Sequence, residues 1–254
     1  MAVNRFNYFS ENNNRNYCGS SQFKSFLRCP AQALAELNGE WKREESTSLL
    51  IGSYVDSWFE GTLDAFKAEH PEIFKKDGTL KSEYIKADEI IARVSKDELF
   101  MKYMGGQKQA IRTGEIEGVP FKIKMDSYHK GKAIVDLKVI KDFQPLWNEE
   151  RGIRQSFIEY WGYDYQAAIY QAIEGNKLPF YICAVTKETE PDFEVIQIPQ
   201  TWIDSAMAII KNEIGIIDAY KRGELEAPRC GKCAYCRQTK KLSRVISADE
   251  FIVS

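Results

Sequence analysis

The chain has 254 residues, 44% of them hydrophobic and 28% charged, with 35 basic against 37 acidic side chains and a formal net charge of −2. That is the composition of an ordinary globular protein able to bury a sizeable core, without the overall basic excess that phosphate binding tends to leave. No run of about 18 apolar residues exists to cross a bilayer, and the polar, Asn-rich segment 1–19 lacks the apolar stretch of a signal peptide, so a cytoplasmic protein with no membrane partner is expected.

After that segment, "SSQFKSFLRCPAQALAELNG" predicts a helix over 20–39, capped by Ser20 or Ser21, kinked near Cys29 by Pro30 and stopped by Gly39. "TSLLIGSYVDSWFEGTLDAFKAEHP" predicts a second helix with Leu50, Tyr54, Val55, Trp58 and Leu63 near one face. Residues 72–104 form a charged helical region of two or three short pieces. The period then changes. "QAIRTGEIEG", "VPFKIKMDS" and "KAIVDLKVI" alternate as strands separated by the turn chemistry of "EGVP" and "YHKGK". A long helix follows around "SFIEYWGYDYQAAIYQAIEGN", then strands at "PFYICAVTKE" and "FEVIQIP", a helix at "TWIDSAMAIIKNEIGIIDAYKRG", and a loop at "APRCGKCAYCRQTKKL". Helix, three-strand meander, helix and strand predict an α/β fold with a central mixed sheet flanked by helices. No Pro/Gly/Ser linker divides the chain, so one domain over 1–254 is expected.

The hairpin 122–140 places charge where apolar side chains would be cheaper. Asp136 and Lys138, two apart in a strand, share a face, while Val135, Leu137 and Val139 face the other way. With a turn near Lys130 and Gly131, Asp126 falls almost opposite Asp136. Two carboxylates so close repel unless a cation lies between them, and oxygen ligands suit Mg²⁺ or Mn²⁺. A nearby lysine can steady a water or neutralise charge on a phosphate. The alternative is an exposed strand edge with a weak surface ion pair, against which stand the apolar residues on both sides of the charges. The remaining hairpin lysines, Lys122, Lys124, Lys130, Lys132 and Lys141, and the C-terminal Arg229, Lys232, Arg237, Lys240, Lys241 and Arg244 read as solvated surface, with a localised basic track as the alternative.

Asp126, nine intervening residues, then Asp136-Leu137-Lys138 at the end of an apolar strand resembles the PD-(D/E)XK nuclease motif, and the element order resembles that superfamily's core. "YDYQAAIYQA" places Gln166 and Tyr170 one turn apart, similar to the Gln-x-x-x-Tyr motif of RecB-like nucleases. "LLIGSYVDSWFEG" resembles the segment in which RecE-type phage exonucleases carry Gly-x-x-x-His, with Asp56 in the place of the histidine. The resemblance implies that Asp126 and Asp136 ligate metal with the Leu137 carbonyl, that Asp56 completes the site, and that Lys138 orients or activates water. Gln166 and Tyr170 would then position the metal shell or the DNA backbone. By residue type alone, Asp56 could instead face water and Tyr170 could be core packing.

Cys230, Cys233 and Cys236 form C-x₂-C-x₂-C, and Cys29 is the natural fourth ligand. Iron–sulfur members of the RecB-like nucleases similarly hold a [4Fe–4S] cluster with one N-terminal and three C-terminal cysteines, which implies that segment 228–241 packs near Cys29. A Zn²⁺ site and reduced thiols without metal are the alternatives. Cys18 and Cys183 read as unrelated, Cys183 as buried, and His129 as an exposed turn residue.

The reading is therefore a Mg²⁺-dependent exodeoxyribonuclease of the RecE type. By resemblance it would resect linear duplex DNA in phage recombination and hand a single-stranded product to an annealing protein, with a homo-oligomer left open. A non-catalytic DNA-binding scaffold on a retired nuclease fold and a CRISPR-associated-type iron–sulfur nuclease are the alternatives. No G-x-x-x-x-G-K-[ST] loop is present, which excludes a built-in helicase motor.

Overall fold

A computed structural model describes residues 2–42, 46–149 and 151–249. Near the N-terminus, α1 (Glu11–Asn16) begins at Ser10, whose Oγ accepts the Asn13 N–H. The helix expected over 20–39 is two helices, α2 (Ser20–Arg28) and α3 (Pro30–Leu37). They meet at Cys29, whose extended backbone is what a following proline imposes, and Pro30 opens α3, where its missing N–H costs nothing. Gly19 occupies the N-cap rather than Ser20 or Ser21.

The next expected helix also divides. α4 (Thr47–Glu60) is capped by Ser46 and ends at Gly61, whose φ of 74° suits a residue without Cβ, and α5 (Leu63–Glu69) follows. The charged stretch resolves into a 3₁₀ turn at Pro71–Ile73, then α6 (Ser82–Val94) and α7 (Glu98–Met104).

The meander is β1 (Gln107–Ile116), β2 (Val119–His129) and β3 (Ala133–Ile140). A small hairpin that periodicity did not reveal, β4 (Leu146–Asn148) with β5 (Ile153–Gln155), follows. The long helix predicted next breaks at Trp161–Gly162 into α8 (Phe157–Tyr160), opened by a Ser156–Glu159 capping box, and α9 (Tyr163–Glu174). Next come β6 (Phe180–Thr186), β7 (Phe193–Gln197), the 23-residue α10 (Gln200–Arg222), and α11 (Ala234–Gln238), a single turn within the segment read as loop.

The strands form one five-stranded sheet in the order β1-β2-β3-β6-β7. β3 and β6 run parallel through the α9 crossover, and the other pairs are antiparallel, so the sheet is mixed as expected. Both faces are covered, which explains why β3 and β6 are nearly continuous apolar runs. One layer packs α2, α3, α9 and α10 on Ile134, Phe180, Ile182 and Ala184. The other packs α4, α6 and α7 on Val135, Leu137, Cys183 and Val185.

One irregularity positions everything that follows. β2 and β3 pair only at Ser127–Val135, Tyr128–Ile134 and His129–Ala133, and then separate. Cys18 takes the vacated place beside β2: its N–H donates to the Pro120 carbonyl at 2.8 Å, and its carbonyl accepts the Lys122 N–H at 3.0 Å.

Candidate active site

Continuing the β2–β3 register by one residue puts Asp126 against Asp136, where the strands part. The Asp126 carboxylate bridges the opening: the Leu137 N–H, freed from the ladder, donates to its Oδ2 at 2.9 Å. Lys138, next along the same face of β3, pairs with Asp136 Oδ2. Asp56 approaches from α4, and its Oδ1 is buried without a hydrogen-bond partner. All four residues and Leu137 line one cleft of about 1190 Å³.

β2 itself is re-aimed here. Tyr128 faces the α9 layer, yet so do Phe121, Ile123 and Met125, so the alternation slips at Asp126. Across from it in β1, Gln109 holds a left-handed φ of 50°. Such irregularities turn a side chain out of the pleat and cluster at functional sites.

The electrostatics are those of buried, crowded carboxylates. Burial, then Asp136 and Asp56, hold the Asp126 carboxyl well above the usual range. Burial, then Glu60 one turn along α4, pushes Asp56 up to about 7. Burial works against the Lys138 ammonium, but Asp136, Tyr163 and Asp126 outweigh it and raise its pKa above the ordinary lysine value. The buried, unpartnered Asp56 oxygen together with Asp126 and Asp136 is a donor set suited to a hard divalent cation.

α9 closes the cleft with a stripe at i, i+3 and i+7. Gln166 Nε2 donates to Asp136 Oδ1 at 2.6 Å. Tyr170 Oη donates to the Lys124 carbonyl at 2.9 Å, so this tyrosine is buried but not mere packing. Tyr163, which sequence reasoning missed, lies between two ammoniums, with Lys138 Nζ 4.9 Å and Lys24 Nζ 5.0 Å from its ring centroid.

Lys24 and Arg28 were also missed. They stand one turn apart on α2 and line the cleft, and that i, i+4 basic pair was readable in "FKSFLR". Burial, then the neighbouring Lys138, brings Lys24 down to about 7. Gly162 makes room for it: at φ 63°, a Cβ there would lie 2.9 Å from Tyr165 Cδ2 and 3.1 Å from Lys24 Cδ.

The hairpin lysines divide. Lys130 and Lys132 are exposed at the turn, whereas Lys122, Lys124, Lys138 and Lys141 line the cleft. Lys122 is not solvated surface at all: it is 3% exposed and donates to the Tyr8 carbonyl and, at 2.7 Å, to Asn14 Oδ1. His129 ends β2 half-buried rather than exposed, its Nε2 2.8 Å from the Tyr103 carbonyl.

The four cysteines converge. The Sγ atoms of Cys29, Cys230, Cys233 and Cys236 all lie within 4.8 Å of one another. Cys29 is 3.6 Å from Cys236 and 3.7 Å from Cys233, and Cys230 is 3.9 Å from Cys236. Four thiolates about 2.3 Å from one ion stand roughly 3.8 Å apart in a regular tetrahedron, so the tetrad has the size of a single-ion site. A [4Fe–4S] cube would hold the sulfurs farther apart than this. Arg229 secures the segment by donating to the Cys236 carbonyl at 3.0 Å. Cys18 and Cys183 are buried outside the tetrad.

The solved structure of a candidate exonuclease from Eubacterium rectale is 44% identical to this chain, covers 99% of it and 98% of its own length, and superposes with a TM-score of 0.93. The structure of SSO0001 aligns at 12% identity over 76% of this chain and 84% of its own, but its TM-score of 0.28 carries no argument. No curated protein matches the sequence. The model of the PDDEXK-like domain of unknown function, DUF3799, matches residues 19–239. With its carboxylates and lysine at the parting of two central strands, the chain belongs to that PDDEXK-like family and has the PD-(D/E)XK nuclease fold.

Proposed function

We propose that the chain is a divalent-metal-dependent exodeoxyribonuclease of the RecE type, folded as one domain over 1–254. It hydrolyses linear duplex DNA and leaves a single strand for an annealing partner. The observation that carries this reading is the convergence of Asp56, Asp126, Asp136 and Lys138, from three separate elements, on one cleft. Asp56, Asp126 and Asp136, with the Leu137 carbonyl, would hold Mg²⁺ or Mn²⁺, which supplies Lewis-acid stabilisation of charge on the phosphate and lowers the pKa of water.

The protein's own groups divide the remaining work. Asp136 and Asp126 raise the Lys138 pKa above the ordinary lysine value, and its ammonium would orient water and offset phosphate charge. Gln166 fixes the Asp136 carboxylate, and Tyr170 fixes the Lys124 backbone. At the tetrad, the sulfur separations favour one tetrahedral ion such as Zn²⁺ over the iron–sulfur cluster that the resemblance implies. That ion would staple Cys29 to a segment some 200 residues later.

Incubation with Mg²⁺ should degrade linear duplex and spare covalently closed circles. Asp136→Asn and Lys138→Ala should each cut the rate by at least roughly 100-fold; an unchanged rate in both would end the catalytic assignment. Cleavage of closed circles would make the enzyme an endonuclease, and tight binding of DNA ends without cleavage in Mg²⁺ or Mn²⁺ would favour the scaffold reading. Metal analysis of the purified protein should find about one zinc and no iron.

A further inference from the structure

Two aromatic rings on the cleft are left unused by the metal chemistry. Phe9 and Trp161 both line it, and neither is sheltered, Phe9 being 71% and Trp161 40% exposed. Each is steadied from one side by a cation on the cleft wall. Lys124 Nζ lies 5.1 Å from the Phe9 centroid, and Arg28 Cζ lies 5.4 Å from that of Trp161.

Both positions are imposed by the fold. Phe9 follows Tyr8, which is buried: its hydroxyl donates to the Lys122 carbonyl at 3.3 Å and its own carbonyl accepts Lys122 Nζ. Trp161 stands between the capped turn of α8 and the left-handed Gly162.

The two rings sit toward opposite ends of the cleft floor. α9 runs over that floor from Tyr163 beside Lys138, past Gln166 at Asp136, to Tyr170 at Lys124. Seven residues of helix span about 10 Å. Trp161 precedes the first end, and Phe9 is joined to the second through Lys124. Asp136, held by Gln166, lies between.

An exposed ring at a nucleic-acid cleft is a stacking surface that accepts any base. Within a duplex, both faces of each base are already covered by neighbours, so such a ring can be used only by an unpaired or terminal nucleotide. We propose that Phe9 and Trp161 are nucleobase-stacking platforms on either side of the metal-binding carboxylates, and that the cleft therefore takes its strand single-stranded, from a frayed end. This rests on the nuclease reading above and adds to it the form of the substrate.

The full-length chain, titrated in magnesium-free buffer with a fluorescein-labelled single-stranded oligonucleotide, reports binding without turnover. Phe9→Ala and Trp161→Ala should each weaken binding by about 5- to 150-fold, the range of one lost base stack, while Phe9→Tyr and Trp161→Phe should retain most of it. An oligonucleotide with abasic sites at the contacted positions should bind the wild type as weakly as the intact one binds the alanine variants, and the variants should lose nothing further. That last comparison separates stacking from a structural defect. In Mg²⁺, duplexes with frayed ends should be preferred over blunt ones, and the alanine variants should raise KM more than they lower kcat.

Unchanged affinity in both alanine variants, or equal wild-type affinity for abasic and intact strands, would overturn the platforms, and if the wild type still cleaves, the nuclease reading survives. Base-dependent binding by a wild type that never cleaves would support the platforms and sink the nuclease reading alone.

Discussion

Replacing Asp126 with asparagine should stabilise the magnesium-free protein at pH 8 while abolishing its activity. Asp126 is held well above the usual carboxylate range and Asp56 is pushed up to about 7, both mainly by burial. Each therefore holds its proton more tightly folded than unfolded, where aspartate titrates near 3.9. For an acid with a raised folded pKa, stability is greatest at low pH and falls as pH climbs from the unfolded value to the folded one. For Asp56 that window runs from about 4 to about 7. Each unit is worth ~1.4 kcal/mol, so three units set a ceiling of ~4 kcal/mol. Because Asp56 opens onto the cleft, solvent screening reduces this to about 1–2 kcal/mol.

In Asp126→Asn the amide would keep an oxygen for the Leu137 N–H and carry no charge, relieving roughly 2 kcal/mol at pH 8. At about 2–4 °C per kcal/mol for a chain of this size, Tm should rise by ~4–8 °C. Thermal unfolding followed by circular dichroism at pH 5, 6.5 and 8 would test this. Without Mg²⁺, the wild type should lose stability across the series and the variant less. Added Mg²⁺ should restore the wild type and leave the variant unmoved. A wild-type Tm independent of pH, or a variant that melts no higher than wild type at pH 8, would refute the reasoning.

Gln166→Leu removes the amide that orients Asp136, so the Mg²⁺ concentration for half-maximal rate should rise about 10- to 100-fold; an unchanged metal dependence would count against that role. Cys29→Ser should abolish the Zn²⁺ binding proposed for the tetrad, read with a zinc chromophore during unfolding, and lower Tm, because a structural metal contributes folding energy directly. Gly162→Ala forces a Cβ against Tyr165 and Lys24 at positive φ, with an expected cost of ~1–3 kcal/mol in urea unfolding.

Much of this site was legible because strands and helices repeat with fixed periods. Spacing two put Asp136 and Lys138 on one face, the turn at Gly131 brought Asp126 to them, and spacing four put Gln166 and Tyr170 together, as the structure finds. The same stripe already contained Tyr163. What stayed hidden depended on tertiary context. The splay of β2 from β3 has no local signature, nor does the left-handed Gln109. Helix breaks at Gly61 and Gly162 were overridden in the reading by apolar periodicity on either side, although each glycine was a visible stop. The polar segment 1–19 read as featureless because its contacts with β2, those of Tyr8 and Asn14 with Lys122 and of Cys18 with Pro120, join residues far apart in the chain.

The near-neutral total charge concealed the binding cleft, because it averages over surfaces that never meet the substrate. Among the described residues, seven cations line the cleft, Lys24, Arg28, Lys122, Lys124, Lys138, Lys141 and Lys187, against five acids, Glu36, Asp56, Asp126, Asp136 and Asp142. The cleft is thus locally +2 on a chain of −2, before any cation joins the carboxylates. Not all seven remain for phosphates. Lys24 is brought down to about 7, Lys122 is consumed by Tyr8 and Asn14, Lys138 is held by Asp136, and Lys141 faces Asp142 at 3.3 Å. Arg28, Lys124 and Lys187 remain. Each phosphate neutralised on a single strand contributes about −0.7 to the slope of log affinity against log salt, so three predict a slope of roughly −2. A slope near zero in magnesium-free buffer would mean that these three cations do not meet the strand, and that the cleft does not follow its backbone.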